Sequence, residues 1–259
     1  MRALERWRLL LDGDLSGHEN MARDEALLLA LEEGYGMPTL RLYGWQERTL
    51  TVGYMQDATV FAGCTIPVVR RPTGGRAVLH WKELTYAVVA PTDVEPFDKG
   101  LQFTYYVINN IILATLKEIG VDAELSERRT AEYRKKESCF HSASRYEVTA
   151  GRRKLSGGAQ RRLKRAFLQH GSILFSVDRE LVAELFGKDA PHRMAAIDEF
   201  TTVDMGRFRK ALVENMAKRL SVSFEEEGLT EREAYKEGVL VEKYLSPSWN
   251  VKGKTALGV

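Results

Sequence analysis

Arg70-Arg71-Pro72-Thr73-Gly74-Gly75-Arg76-Ala77-Val78-Leu79-His80, continued by Glu83-Leu84-Thr85-Tyr86-Ala87, is the stretch around which the rest of the chain is organised. The apolar run Pro67-Val68-Val69 leads into two arginines, a turn, adjacent glycines and a second alternating strand. Adjacent glycines let the backbone approach a ligand without interference from Cβ, and they turn successive N–H groups toward an anionic or carbonyl oxygen. By spacing alone, two glycines in a hairpin are more often a tight turn. The flanking Arg70, Arg71 and Arg76, with His80 just downstream, shift the balance toward a small-molecule cradle.

The 259 residues, 44% of them hydrophobic, suffice for one large or two small domains with a real core. A formal net charge of +2 argues against a protein built mainly to hold nucleic acid. The opening Met1-Arg2-Ala3-Leu4-Glu5-Arg6-Trp7 carries charges where a signal peptide would be apolar, and no run approaches the length of a membrane span. A cytoplasmic protein without membrane association is expected. Cys64 and Cys139 stand far apart with no CxxC or Cys/His cluster, so neither a disulfide framework nor a metal is expected.

In chain order, Glu5 to Leu11 predicts a strand closed by Asp12-Gly13-Asp14, and Ser16 with Glu19 predicts a capping box opening a helix through Glu33. Thr39 to Trp45 and Thr49 to Tyr54 read as a hairpin, with Tyr43, Trp45 and Tyr54 as core or as walls of an apolar pocket. Asp57 to Ala62 reads as a helical turn. Val68, Val78 and Tyr86 are expected on successive strands of one sheet, the glycine segment joining the first two. Leu101, Tyr105, Ile108, Ile112, Leu116 and Ile119 repeat at helical spacing and predict a helix from Gly100 to Gly120 that packs on the sheet and carries no obvious chemistry. Val121 to Leu125 predicts a short strand. The stretch 126–138 holds Arg128, Arg129, Arg134, Lys135 and Lys136 and is expected to be an exposed loop leading to Cys139. Arg145 to Thr149, Lys154 to Arg161 and Ala166 to Phe175 predict three more strands. Glu180 to Phe186, Met205 to Leu220 and Glu231 to Leu245 predict helices, with a strand at Ser221 to Phe224. With no linker-like tract, the chain reads as one α+β domain over 1–259 with a mostly helical C-terminal portion.

Further signals are Gly151-Arg152-Arg153-Lys154-Leu155-Ser156-Gly157-Gly158-Ala159-Gln160, Gln169-His170-Gly171-Ser172-Ile173-Leu174 and Cys139-Phe140, with weaker ones at Asn20 to Leu28, Tyr43-Gly44-Trp45 and Ser248-Trp249-Asn250. With these the chain resembles the lipoate ligase and octanoyltransferase superfamily, whose members also resemble biotin protein ligases. Its Cys-Phe element is similar to that of LipM-type octanoyltransferases. The resemblance implies a biotin/lipoate protein ligase-like catalytic domain, a mixed β-sheet flanked by helices. It implies a protein N-octanoyltransferase of lipoate biosynthesis that takes octanoyl from acyl carrier protein and passes it to a lysine of a lipoyl domain or the glycine-cleavage H protein, without a cofactor.

Cys139 is the candidate nucleophile. A thiolate attacks an acyl donor, and nearby cations favour it; Arg134, Lys135 and Lys136 lie just upstream. An isolated cysteine is by default an inert buried side chain, a reading kept for Cys64. The resemblance implies that Lys154 contacts the acyl carbonyl and pairs with the cysteine. Such a lysine can act as a general base or, while charged, stabilise an oxyanion; beside Arg152 and Arg153 it is otherwise an ordinary solvated lysine. Thr73, Gly74, Gly75, His80, Ser156, Gly157, Gly158 and His170 are candidates for the acyl-binding site, while Arg70, Arg71 and Arg76 could meet a phosphate or an acidic partner. His80 and His170 are as readily structural. Asn20 and Asp24 match polar positions of the family and suit a solvated first turn at least as well.

The nearest alternative is an ATP-dependent lipoate-protein ligase, using ATP and Mg, with Cys139 dispensable. A biotin ligase fits less well because its Gly-Arg-Gly-Arg element is absent. A non-catalytic lipoyl-binding protein or split-ligase subunit is the alternative of another class, and an RNA-binding module is disfavoured by the charge. Gly158 stands where the family often has Ser or Asn, which puts a side-chain contact there in doubt but leaves backbone contacts intact.

Overall fold

The computed structural model describes residues 5–126 and 146–253; Cys139 and the basic stretch before it lie outside them. In chain order the elements are β1 (Glu5–Leu15), α1 (Gly17–Glu32), β2 (Thr39–Trp45), β3 (Thr49–Val52), β4 (Val68–Arg70), β5 (Val78–His80), β6 (Glu83–Pro91), α2 (Leu101–Glu118), β7 (Ala123–Leu125), β8 (Val148–Ala150), β9 (Arg153–Arg162), β10 (Ala166–Leu174), α3 (Arg179–Phe186), α4 (Met205–Leu220), β11 (Val222–Glu226), α5 (Glu231–Leu245) and α6 (Pro247–Lys252). The described strands form a mixed eight-stranded sheet, ordered β11-β1-β2-β6-β10-β9-β8-β7, and a three-stranded sheet, β4-β3-β5. Among the described residues no helix is long and apolar enough to cross a membrane.

Alternation along the strands divides the large sheet into two faces. Leu40 and Leu42 of β2, Leu84, Tyr86 and Val88 of β6, and Phe167 and Ile173 of β10 pack against Ile108, Ile112 and Leu116 of α2 and Phe208 and Leu212 of α4. On the other face Tyr43, Trp45, Ala87, Val89 and Leu168 meet Met21, Leu27 and Leu28 of α1, Tyr244 of α5 and Trp249 of α6. Each such side chain, when large and fully buried, contributes ~1.5–3 kcal/mol. The Ser16/Glu19 capping box opens α1. Its weak helical period has a cause: α1 lies between the sheet and α5, so Asn20, Asp24 and Glu25 are buried along with its apolar residues. Buried charges need partners. Across this interface Lys243 Nζ and Tyr244 Oη donate to Glu25 Oε2 at 2.6 and 2.8 Å, and Arg23 Nε donates to Glu237 Oε1 at 2.9 Å.

The expected hairpin of β2 and β3 does not form. β2 pairs with β1 and β6, so both its edges are taken, and β3 instead joins β4 and β5 in the second sheet. For the same reason Val68 and Val78 flank β3 rather than each other, and Tyr86 lies in the large sheet. β1 continues through Asp12-Gly13-Asp14 with a register shift between Leu11 and Asp14. That shift sets Asp14 against Gly44, where an added Cβ would lie 2.0 Å from Asp14 Oδ1.

Candidate active site

A largely apolar cavity lies on the α1 face of the large sheet. Strand register builds its floor. Tyr43, Thr85, Ser172 and Gly157 form one row across β2, β6, β10 and β9; Arg41, Ala87, His170 and Ala159 form the next. Small side chains from β9 to β6 leave a trough, closed at the β2 end by Tyr43 and Trp45, with Met21 of α1 also in the lining.

Lys154 stands at the β9 end. The pairing of β8 with β9 shifts between Val148 and Thr149: Thr149 opposes Lys154, whereas Val148 opposes Ser156. A bulge of this kind re-aims side chains. It brings Lys154 and Gly157 onto the cavity face at a spacing of three, while Leu155 joins the opposite core and Ser156 pairs with Ile173 of that core. Lys154 is only 4% exposed, and its Nζ donates to Glu147 Oε1 at 2.6 Å. The solvated-lysine alternative is thereby excluded. A Cβ on Gly157 would fall 2.3 Å from Lys154 Cε, so the glycine leaves the space in which the lysine lies. Beside it, Gly158 faces Gly171 and the Tyr86 hydroxyl, and a Cβ there would meet the His170 carbonyl oxygen at 2.8 Å. From α2, Tyr105 Oη donates to the Gly158 carbonyl at 3.1 Å and accepts from its N–H at 3.2 Å.

Two histidine relays line the trough. His170 Nδ1 meets Asp24 Oδ2 at 2.7 Å and its Nε2 meets Thr73 Oγ1 at 2.7 Å. Asp24 also accepts from Arg41 Nη1 at 2.6 Å and Tyr43 Oη at 2.9 Å. Burial opposes the Asp24 charge, but Arg41 and His170 outweigh it and hold the carboxyl below its usual range. Asn20 accepts from Arg41 and donates to the Gly44 carbonyl, so the solvated-turn reading of Asn20 and Asp24 fails. In the second relay His80 Nδ1 lies 2.8 Å from Glu83 Oε1 and Nε2 2.7 Å from Thr51 Oγ1, with the Trp45 ring stacked on the imidazole. Arg71 Nη1 also donates to Thr51 Oγ1 at 3.0 Å, tying the glycine loop to this relay.

Burial pushes the His170 imidazole below 6.5 against the pull of Asp24. The folded chain therefore holds it neutral where the unfolded chain begins to bind a proton. This stability is fully present above pH 6.5 and is lost progressively as pH falls below it. His18, also lowered chiefly by burial, adds to the same decline. His170→Gln is expected to flatten the fall of the urea midpoint between about pH 7 and pH 5, leaving the His18 part. An unchanged slope would contradict the assignment.

Of the predicted residues, Arg71, His80, Lys154, Gly157, Gly158 and His170 line the cavity. Arg70, Thr73, Gly74, Gly75 and Ser156 do not. Arg70 is a correction: its guanidinium donates to the carbonyls of Gly53, Tyr54, Gln56, Trp249, Asn250 and Val251, tying α6 to the loop after β3, which leaves nothing for a phosphate. Arg71 likewise binds the Gly74 and Arg76 carbonyls and so fixes the glycine loop. Gly75, at φ +93°, belongs to that loop, and its carbonyl lies where a Cβ on Gly53 would stand; because β4 and β5 do not pair, the glycines do not form a hairpin turn. Thr73 acts through His170, and Ser156 faces the opposite core. Tyr43 and Trp45 wall the cavity, while Tyr54 is 40% exposed. Sequence reading missed Thr51, Thr85, Ser172 and Glu147. The first three are small polar residues within strands, and Glu147 carried no signal beyond its place in a predicted strand.

Comparison with known proteins gives this geometry its context. The family model of the lipoyl protein ligase A/B catalytic domain matches residues 16–217. The octanoyltransferase LipM of Geobacillus kaustophilus is 38% identical over 96% of this chain and 99% of its own length. That of Symbiobacterium thermophilum is 37% identical over 95% and 98%. Among solved structures, protein Ta0514 from Thermoplasma acidophilum with bound lipoic acid superposes with a TM-score of 0.81 at 26% identity, covering 95% of this chain and 99% of that one. A lipoate-protein ligase A bound with ATP gives 0.81 at 25% identity, covering 97% and 100%. The chain thus belongs to the lipoyl protein ligase A/B catalytic domain family and is an acyltransferase, an octanoyltransferase of the LipM group with a role in lipoylation.

Proposed function

We propose that the cavity holds the octanoyl chain with its carbonyl at Lys154, and that transfer runs in two steps through Cys139. In the first, the Cys139 thiolate attacks the octanoyl thioester on the phosphopantetheine of acyl carrier protein. A new C–S bond forms, the carrier C–S bond breaks, and the carrier sulfur leaves as a thiol after taking up a proton. In the second, a lysine amine of a lipoyl domain or glycine-cleavage H protein attacks the acyl-Cys139 carbonyl. The amide forms, and the departing sulfur takes up the proton that the amine loses. Thioester exchange is nearly isoenergetic and the amide is more stable than either thioester, so neither ATP nor a metal is needed. A reduced nucleophilic thiol suits a cytoplasmic setting.

One observation carries this reading: a buried ammonium, held 2.6 Å from Glu147, stands at the end of a largely apolar trough. A preorganised cation stabilises charge developing on an acyl oxygen far better there than in water. Incubation with octanoyl carrier protein in the absence of nucleotide is expected to add one octanoyl group to Cys139 by intact mass and peptide mapping, and a subsequent apo-lipoyl domain should discharge it. Absence of the adduct, or an absolute requirement for ATP, would replace this reading with that of an adenylating ligase.

A further inference from the structure

We infer that Glu147 is a positioning residue for the transfer: its carboxylate fixes the Lys154 ammonium so that a donor is presented to the acyl carbonyl oxygen in both half-reactions. This rests on the reading of Lys154 given above. Lysine has a long flexible stem and a compact charge. Without an anchor its head group would sample many positions along an apolar trough, and a misplaced donor stabilises little.

Several local features converge on placing Glu147. Tyr146 takes a left-handed conformation at φ +69°, uncommon for an aromatic residue. Its N–H donates to the Ser126 carbonyl at 2.7 Å, its own carbonyl accepts from Asn109 Nδ2 at 2.7 Å, and the Ser126 hydroxyl accepts from the Glu147 N–H at 3.1 Å. The β8–β9 bulge then carries Lys154 to the same face, and Gly157 leaves room for its stem, with Glu147 Oε1 only 3.5 Å from where a Cβ on Gly157 would stand. Lys154 and Glu147 side chains are 3% and 5% exposed. A buried ion pair is commonly replaceable by apolar residues without loss of stability. Stability alone therefore does not call for an ion pair here, whereas a site that must hold a cation in place does. Lys154 gives up no proton in either step; it contributes a hydrogen bond that strengthens as the acyl oxygen gains charge.

The test is a double-mutant cycle read as amide formed on an apo-lipoyl domain, with Glu147→Gln, Lys154→Met and the pair. Glu147→Gln is expected to lower kcat roughly 100-fold, with the KM for the carrier thioester within about twofold of wild type. In the Lys154→Met background the same change should cost nothing further, because Glu147 acts through the lysine. A wild-type kcat for Glu147→Gln, or a loss that adds in full to that of Lys154→Met, would overturn the inference. Should Glu147→Gln fail to fold, Glu147→Asp decides. It keeps the charge but shortens the reach, and a kcat reduced about tenfold is expected while an unchanged kcat would refute. The cycle reads product by any route. A missing Cys139 adduct therefore strikes the two-step reading alone, and additivity in the cycle strikes the role of Glu147 alone.

Discussion

Cys139→Ala is expected to reduce octanoyl transfer to an apo-lipoyl domain by at least about 10³-fold, and to abolish the octanoyl adduct. In the two-step reading the sulfur carries the acyl group between two partners that never meet, so its removal takes away the route rather than lowering one barrier. The trough and Lys154 would still bind the donor, so equilibrium binding of the carrier thioester to the variant should persist. Cys139→Ser should be nearly as inactive, since a hydroxyl is a far weaker nucleophile than a thiolate at neutral pH. Measurement is direct: amide formed per unit time, with intact mass of the enzyme at each step. Transfer at wild-type speed by the alanine variant would end the thioester account.

Lys154→Met is expected to lower kcat about 10²- to 10³-fold, the range found when a preorganised oxyanion donor is lost from a low-dielectric site. Methionine keeps much of the stem and its packing against Gly157 while deleting the charge. The same change removes the cation 2.6 Å from Glu147 Oε1, and loss of one partner of a buried pair typically costs ~3–5 kcal/mol. The two effects can be separated. Adding Glu147→Gln should restore much of the stability, seen as a recovered urea midpoint, while leaving activity at the low level of Lys154→Met. Recovery of activity together with stability would show that the lysine acts only through the fold.

Patterns set by near neighbours were open to reading from the chain. The Ser16/Glu19 box, the α2 repeat and the bounds of α4 and α5 depend on contacts within a turn or two, and each forms where expected. The α+β class and the family followed from motifs such as Lys154 to Gly158, whose chemistry is stated by residue type. The reason for that spacing was not open to reading, because the bulge that turns Lys154 and Gly157 to one face exists only when β9 is laid against β8.

Long-range pairing decided the remainder. β3 left β2 because β1 and β6 already occupied both edges of β2, and no property of residues 46–48 records this. Arg70 looked like a ligand for an anion because an arginine beside a glycine loop has that chemistry; its donors were instead taken by carbonyls up to 181 positions away. Asp24 and His170 stand 146 positions apart, and Thr73 and His170 stand 97 apart. By itself the sequence determined the longer helices, most strands, the family and the residue types available for acyl transfer, but not α6. Only the tertiary structure decided which of them share a cavity and which hold the loops around it. A side chain's role depends on the partners that desolvate and bond it, and those are supplied by strand order and register across the whole fold.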